Sequence, residues 1–168
     1  MKVKDIMTRS AMSCTPETSV REAAEIMRAA DCGALPVVYK AKTSGMITDR
    51  DICLALAERN RAPSELRVEE VMSRVLYACA EEDGVEKALA TMRGHQVRRL
   101  PVVDAKGALR GIVSLNDVAL HTAEKGDARA IPDEEAMRTL KAICGHRRAA
   151  PPTPKGRPAP REQSRVQT

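Results

Sequence analysis

The 168-residue chain has no tryptophan, no phenylalanine and only two tyrosines, Tyr39 and Tyr77. Proteins that hold single-stranded nucleic acid by stacking bases on several rings lack their material here. Long apolar runs are also missing. The longest near a helix is "ICLALA" (52–57), whereas a bilayer crossing takes roughly 20 residues. The opening "MKVKDIMTRS" has no apolar stretch of signal-peptide type. Five cysteines, Cys14, Cys32, Cys53, Cys79 and Cys144, form no C-x-x-C pair. An odd, scattered set reads as reduced thiols in a cytoplasmic protein. Zinc needs clustered Cys and His. Of His95, His121 and His146, only the last lies near a cysteine, Cys144, so no metal site is expected. There is no Ser–His–Asp set, no Walker loop and no His-Glu-x-x-His, and no catalytic residue is assigned.

What remains is an aliphatic chain, 43% hydrophobic, whose core must be built from Ala, Val, Leu, Ile and Met. The net charge of +5 invites a nucleic-acid reading, but its distribution argues against one. Arg147, Arg148, Lys155, Arg157, Arg161 and Arg165 face a single late acid, Glu162. Residues 1–145 therefore balance at 22 basic and 22 acidic, and the basic character belongs to the tail. That tail holds five of the ten prolines and almost no bulky apolar residues, which reads as disorder. Weak, salt-sensitive nucleic-acid attachment through it is the minor alternative.

The chain also repeats itself. "VKDIM" (3–7) returns as "VEEVM" (68–72), "VREAAEIM" (20–27) as "VEKALATM" (85–92), and "LPVV" (35–38) as "LPVV" (100–103). "GMITDRDI" (45–52) returns as "GIVSLNDV" (111–118), one residue later than the others, so one residue is inserted between "LPVV" and the glycine. Each copy reads strand, helix, strand, strand, helix. The first strands surround "AMSCT" and "LYACA". Ser19 with Glu22 opens the next helix as a capping box, and Asp83 with Glu86 is expected to do the same. The apolar face of the first such helix is Val20, Ala23, Ala24 and Met27. Two strands around a polar turn follow, then helices over "DRDICLALAERN" and "LNDVALHTAEKG". A unit of about 60 residues buries little alone. The expected fold is α+β, two β-α-β-β-α repeats packed sheet to sheet about a pseudo-twofold axis with a shared core.

The expected divisions are residues 1–60 for the first repeat, a linker at 61–67 and the second repeat at 68–126. A C-terminal helical extension over 127–146 and the tail, 147–168, follow. The extension helix starts near Pro132 and ends near Gly145, with Ala136, Met137, Leu140 and Ile143 as its packing stripe.

Paired "V-x-x-[IV]-M", "hPVV" and "G-h-h-[TS]-x-x-D" motifs over residues 2–126 resemble a tandem pair of CBS domains, a Bateman module. "GALPV", "GMITDRDI", "HQVRRLPVV" and "LKAICG" are similar to stand-alone bacterial CBS-pair proteins of the hypoxic-response type. The resemblance leaves no stretch of these residues for an enzyme or transporter domain. It implies a regulatory, energy-sensing or stress-response role and two clefts that take AMP, ADP or ATP, or S-adenosylmethionine or NAD. It also implies a homodimer and an output through a separate, unknown protein partner, with no resident cofactor. A structural or dimerisation module that binds no nucleotide is the alternative.

Thr48 with Asp51 and Ser114 with Asp117 admit two readings. Each pair can cap its helix, or hold ribose and phosphate at a helix mouth, and the two roles are compatible. By resemblance, Arg98 and Arg99 supply phosphate contacts to the second cleft, where the guanidinium fork suits the ligand. Gly33 and Arg50 stand by the first. The adenine base is expected on Met12, Cys32 and Gly33 in one cleft and on Leu76 and Val97 in the other.

Overall fold

A computed structural model describes residues 1–123 and 130–145. The expected end of the second repeat at Gly126, the first part of the extension, His146 and the tail lie outside the described residues.

Each repeat contributes a two-stranded antiparallel sheet and the helices around it. In the first, α1 (Val3–Ile6), α2 (Val20–Ala29), β1 (Ala34–Tyr39), β2 (Lys42–Thr48) and α3 (Asp49–Arg59) follow in order. In the second, α4 (Val68–Val71), α5 (Val85–His95), β3 (Arg99–Val103), β4 (Leu109–Ser114) and α6 (Leu115–Ala119) repeat the plan. A short parallel pair, β5 (Thr122–Ala123) with β6 (Ile131–Pro132), then leads into α7 (Asp133–Cys144).

The inserted residue sits in the second hairpin. Tyr39 pairs with Lys42 across Lys40 and Ala41, both at positive φ (47° and 63°). In the second copy Asp104 donates its N–H to Ala108 O across three residues, and Gly107 takes the left-handed conformation at φ 82°. The Asp104 carboxylate accepts from the amides of Lys106 and Ala108, which holds the longer turn shut.

The first strands are much shorter than expected. Each shrinks to one bridged residue, Cys14 beside Val37 and Cys79 beside Val102. Pro16, and the turn begun at Ala80, end the pairing after that residue. Burial pushes both thiols up, Cys14 to about 11 and Cys79 to about 12.

The buried apolar residues fall into two clusters, and each is assembled across the sequence repeats. Val3, Ile6 and Met7 pack with Leu89, Leu100 and Val113 of the second repeat. Leu66 and Val68 pack with Val20, Leu35 and Ile47 of the first. The "V-x-x-[IV]-M" segments have thus exchanged places. Burying each of these side chains stabilises the fold by roughly 1.5–3 kcal/mol, so the exchange ties the repeats together.

The crossing segments also join the sheets. Thr8 bridges Ile112, and Ser73 bridges Met46, each with two backbone hydrogen bonds of 2.9–3.1 Å. The glycine of "G-h-h-[TS]" follows from this. A Cβ on Gly45 would stand 2.5 Å from Ser73 O, and one on Gly111 2.6 Å from Thr8 O.

Helix ends match the expected chemistry at some positions and depart at others. Ser19 and Glu22 form the capping box of α2. Asp83 does not cap α5, whose N-cap is Gly84. Its carboxylate instead accepts from Ala80 N–H at 2.9 Å and from Lys87 Nζ at 2.7 Å, closing the turn before the helix. On α2, Val20, Ala23 and Met27 are buried as expected, but Ala24 is exposed.

The helix expected over 115–126 stops after one turn. Where α3 continues with Ala55 and Leu56, the second copy has His121 and Thr122, which cannot extend the apolar face. The His121 ring bonds Asp117 O, and the Thr122 hydroxyl donates to Ala119 O. Pro132 is the N-cap of α7 and Gly145 its C-cap. Its rotation differs from the expected stripe. Arg93 reaches Glu135 at 2.8 Å and the wholly buried Thr139 at 2.9 Å. These bonds turn Ala136, Thr139 and Ile143 inward and leave Met137 and Leu140 on the outer face.

Candidate ligand site at two helix mouths

Thr48 ends β2 in extended backbone and is the N-cap of α3; Ser114 does the same between β4 and α6. Ile47 and Val113, the residues before them, are fully buried and fix the direction of each strand end. The Asp51 carboxylate accepts from Thr48 N–H at 2.9 Å and from the Thr48 hydroxyl at 2.7 Å, both at Oδ2. The hydroxyl oxygen in turn accepts from Asp51 N–H at 3.2 Å. Ser114 and Asp117 repeat the arrangement at 2.7, 2.6 and 3.3 Å. The capping reading therefore holds at both sites. Among the described residues every hydrogen bond to either carboxylate falls on Oδ2, and Oδ1 keeps its acceptor capacity.

Each mouth is tied to the strand start beside it. Asp49 N–H donates to Gly33 O at 3.2 Å, and Leu115 N–H to Arg98 O at 2.9 Å. Positions 33 and 98 therefore serve the fold through their backbone. The Arg98 side chain is exposed and Arg99 is half-buried.

The structure differs from the sequence reading over Arg99. Its Nη2 lies 3.7 Å from the point a Gly33 Cβ would occupy, and Asp49 Oδ2 lies 2.8 Å from that same point. The guanidinium has crossed to the mouth of the first repeat and stands with Gly33 and Asp49. Asp49 escaped the motif reading because its counterpart is Leu115, a difference that was visible in the alignment of the two copies. The Asp49 carboxylate accepts from Arg50 N–H at 2.7 Å, and the Arg50 side chain is exposed.

The residues expected around the base are dispersed. Cys32 packs against the first cluster and Val97 against the second. Leu76 is half-buried. Met12 is 52% exposed and borders a depression with Thr18, Glu22, Glu25, Ile26 and Ala29, which neither Cys32 nor Gly33 lines. The Tyr77 and His95 rings stack at 3.7 Å between centroids, and Tyr77, like Val97, packs against the second cluster. Among the described residues no group of three or more His, Cys, Asp or Glu could hold a metal ion, and no helix is long and apolar enough to cross a membrane.

Two matching mouths built on a duplicated hairpin and helix are a family signature. The pattern of the CBS domain family fits residues 3–58 and again residues 68–124. The chain belongs to the CBS domain family.

Among relatives of this CBS pair is the CBS domain-containing protein YhcV of Bacillus subtilis, 40% identical over 119 residues, 71% of this chain and 84% of that one. Hypoxic response protein 1 of Mycobacterium tuberculosis is 30% identical over 142 residues, 84% of this chain and 92% of that one. The crystal structure of the CBS domain pair of protein MJ0100 resembles this one with a TM-score of 0.66 at 30% identity, over 71% of this chain and 94% of that one. That CBS pair was crystallised in complex with 5′-methylthioadenosine and S-adenosyl-L-methionine.

Proposed function

We propose that this CBS pair is a regulatory sensor of an adenine nucleotide, AMP, ADP or ATP in kind, and not an enzyme. One observation carries the reading. At both mouths a carboxylate held rigid through Oδ2 retains a second oxygen, Oδ1, to accept from ribose hydroxyls. Such an acceptor gives charge-assisted hydrogen bonds, and the capping box orients it in advance, so little ordering cost falls on binding. Adenosine-containing ligands in the CBS pair of MJ0100 support the same chemistry.

In this reading Thr48 and Asp51 hold one ligand and Ser114 and Asp117 another. Arg99, with Arg50 and Arg98 near the rims, meets the phosphates, and Arg99 serves the first mouth. Of the residues expected around the base, Gly33 stands at the first mouth beside Asp49 and Arg99 and lies nearest a ligand there. The two repeats, residues 1–60 and 68–126 joined by 61–67, form two lobes that have exchanged their V-x-x-[IV]-M segments, and ligand shifts the relative packing of those lobes. The shift signals to a separate protein only as far as the ligand binds one arrangement better than another.

Titration calorimetry with AMP, ADP, ATP, NADH and S-adenosylmethionine tests this. We expect binding of at least one, weakened ten-fold or more at one mouth by Asp51→Ala and at the other by Asp117→Ala. Arg99→Ala should weaken phosphate-bearing ligands more than S-adenosylmethionine. Silence toward all five ligands would instead favour a CBS pair that serves only as a structural module.

A further inference from the structure

We propose, resting on the nucleotide reading above, that Asp49 is a charge filter at the first mouth. It admits adenosine compounds that carry one phosphate or none, and it turns ADP and ATP away. The two copies differ at this point. The residue after the capping threonine of the first mouth is Asp49, and the residue after the capping serine of the second is Leu115. Gly33, on the neighbouring strand start, has Arg98 as its counterpart. The capping carboxylates Asp51 and Asp117 take the same geometry at both mouths and so cancel between them. The Asp49 charge does not cancel.

Asp49 stands where a phosphate would arrive. Its Oδ1 accepts from Arg50 N–H at 2.7 Å, so an amide at the start of α3 that could meet an anion already holds one. Its Oδ2 lies 2.8 Å from the point a Gly33 Cβ would occupy, and Arg99 Nη2 lies 3.7 Å from the same point. A phosphate drawn to that guanidinium therefore comes within a few ångströms of the carboxylate. Any side chain at position 33 would displace the Asp49 carboxylate, and the glycine keeps it in place. Arg99 offsets the first negative charge of a ligand, and Asp49 opposes each further one. Two like charges about 5 Å apart in water lower affinity about four-fold. Each added phosphate brings at least one more charge, so the penalty grows from AMP to ATP. Adenosine is indifferent to it, and the sulfonium of S-adenosylmethionine is favoured.

Titration calorimetry of the full chain tests the filter with adenosine, AMP, ADP, ATP and S-adenosylmethionine. An Asp117→Ala background leaves the first mouth to be read. There AMP should bind about ten-fold more tightly than ATP. Asp49→Asn should raise AMP affinity about four-fold and ATP affinity about ten-fold or more, with ADP between them. It should leave adenosine within about two-fold and weaken S-adenosylmethionine. Added salt should shrink the gain for ATP. Asp49 is exposed, so thermal unfolding should change little. If Asp117→Ala does not fold, Asp49→Asn in the otherwise unaltered chain should still raise the ratio of ATP to AMP affinity in one of two binding events. An equal change for all five ligands would make Asp49 a helix-capping residue only, and no change would remove it from the site. Either result overturns the filter and leaves nucleotide binding standing. Silence of the wild-type chain toward every ligand overturns the nucleotide reading and the filter with it.

Discussion

The carbonyl oxygen of Ser73 stands 2.5 Å from where a side chain on Gly45 would begin, although 28 residues separate the two in sequence. The same relationship holds at 2.6 Å between Thr8 and Gly111. Here the segment of one repeat crosses the sheet of the other, and only glycine leaves the backbone room. Gly45→Ala and Gly111→Ala should each therefore destabilise the protein by about 1–3 kcal/mol, the usual cost of forcing extra volume into a packed contact. Urea denaturation measures this. A loss below a few tenths of a kcal/mol at both positions would mean that the crossing strands give way freely.

Ala41 is strained for a reason unrelated to packing. Its φ of 63° lies in the left-handed region, and its neighbour Lys40 is at 47°. Two such residues make the tight hairpin turn that Asn-Gly ordinarily occupies. Ala41→Gly removes the Cβ penalty, roughly 1 kcal/mol, against a smaller entropic cost in the unfolded chain. A rise in stability of about 0.5 kcal/mol is expected in denaturant melts, whereas Gly107→Ala, at φ 82°, should lower it.

Acid should loosen the N-terminal segment first. Hydrogen bonds and charge from Lys2 and Lys4 hold the Glu82 carboxyl down to about 2, against an ordinary value near 4.5. Because the folded value is depressed, this contribution is present above about 4.5 and fades as pH falls toward 2. The pair is solvent-exposed, so salt should shrink the effect. The Glu82 side-chain carboxyl shift followed by NMR against pH, at low and high salt, reports it. In Lys2→Met/Lys4→Met protein the midpoint should return toward 4.5.

The cysteines should divide by burial. Cys14 and Cys79 are buried, with thiols pushed up to about 11 and about 12, while Cys53 and Cys144 are exposed. Thiolate is the reactive form. Iodoacetamide at pH 8, read by peptide mass spectrometry, should label Cys53 and Cys144 at least ten-fold faster than Cys14 or Cys79. Fast labelling of the buried pair in folded protein would mean that the bridged segments around Cys14 and Cys79 open readily in solution.

Several features were legible before any coordinates. The repeat offset placed β1, β2, β3 and β4, because alternating apolar residues between turn signals encode strands locally. Ser19–Glu22, Thr48–Asp51 and Ser114–Asp117 were readable as caps because a capping box spans only four residues. The inserted residue could be assigned to a hairpin turn, the place where a sheet tolerates it.

Other features depended on distant partners. Nothing within "VKDIM" says that Val3 and Ile6 belong with Leu100 rather than with Leu35, since each segment would match either core in size and polarity. Asp83 and Glu86 look like Ser19 and Glu22 on paper, but Lys87 and the Ala80 amide draw Asp83 into the preceding turn. The rotation of α7 followed from Arg93, 42 residues before Glu135. The resemblance put Arg99 at the mouth of its own repeat, and only the packing of the repeats turned it toward Asp49. The sequence by itself determined the elements, the duplication and the paired Thr/Ser–Asp mouths, because those depend on contacts within a few residues. The tertiary structure decided which core each segment enters and at which mouth the Arg99 side chain stands, because those depend on volume and charge brought together across the chain.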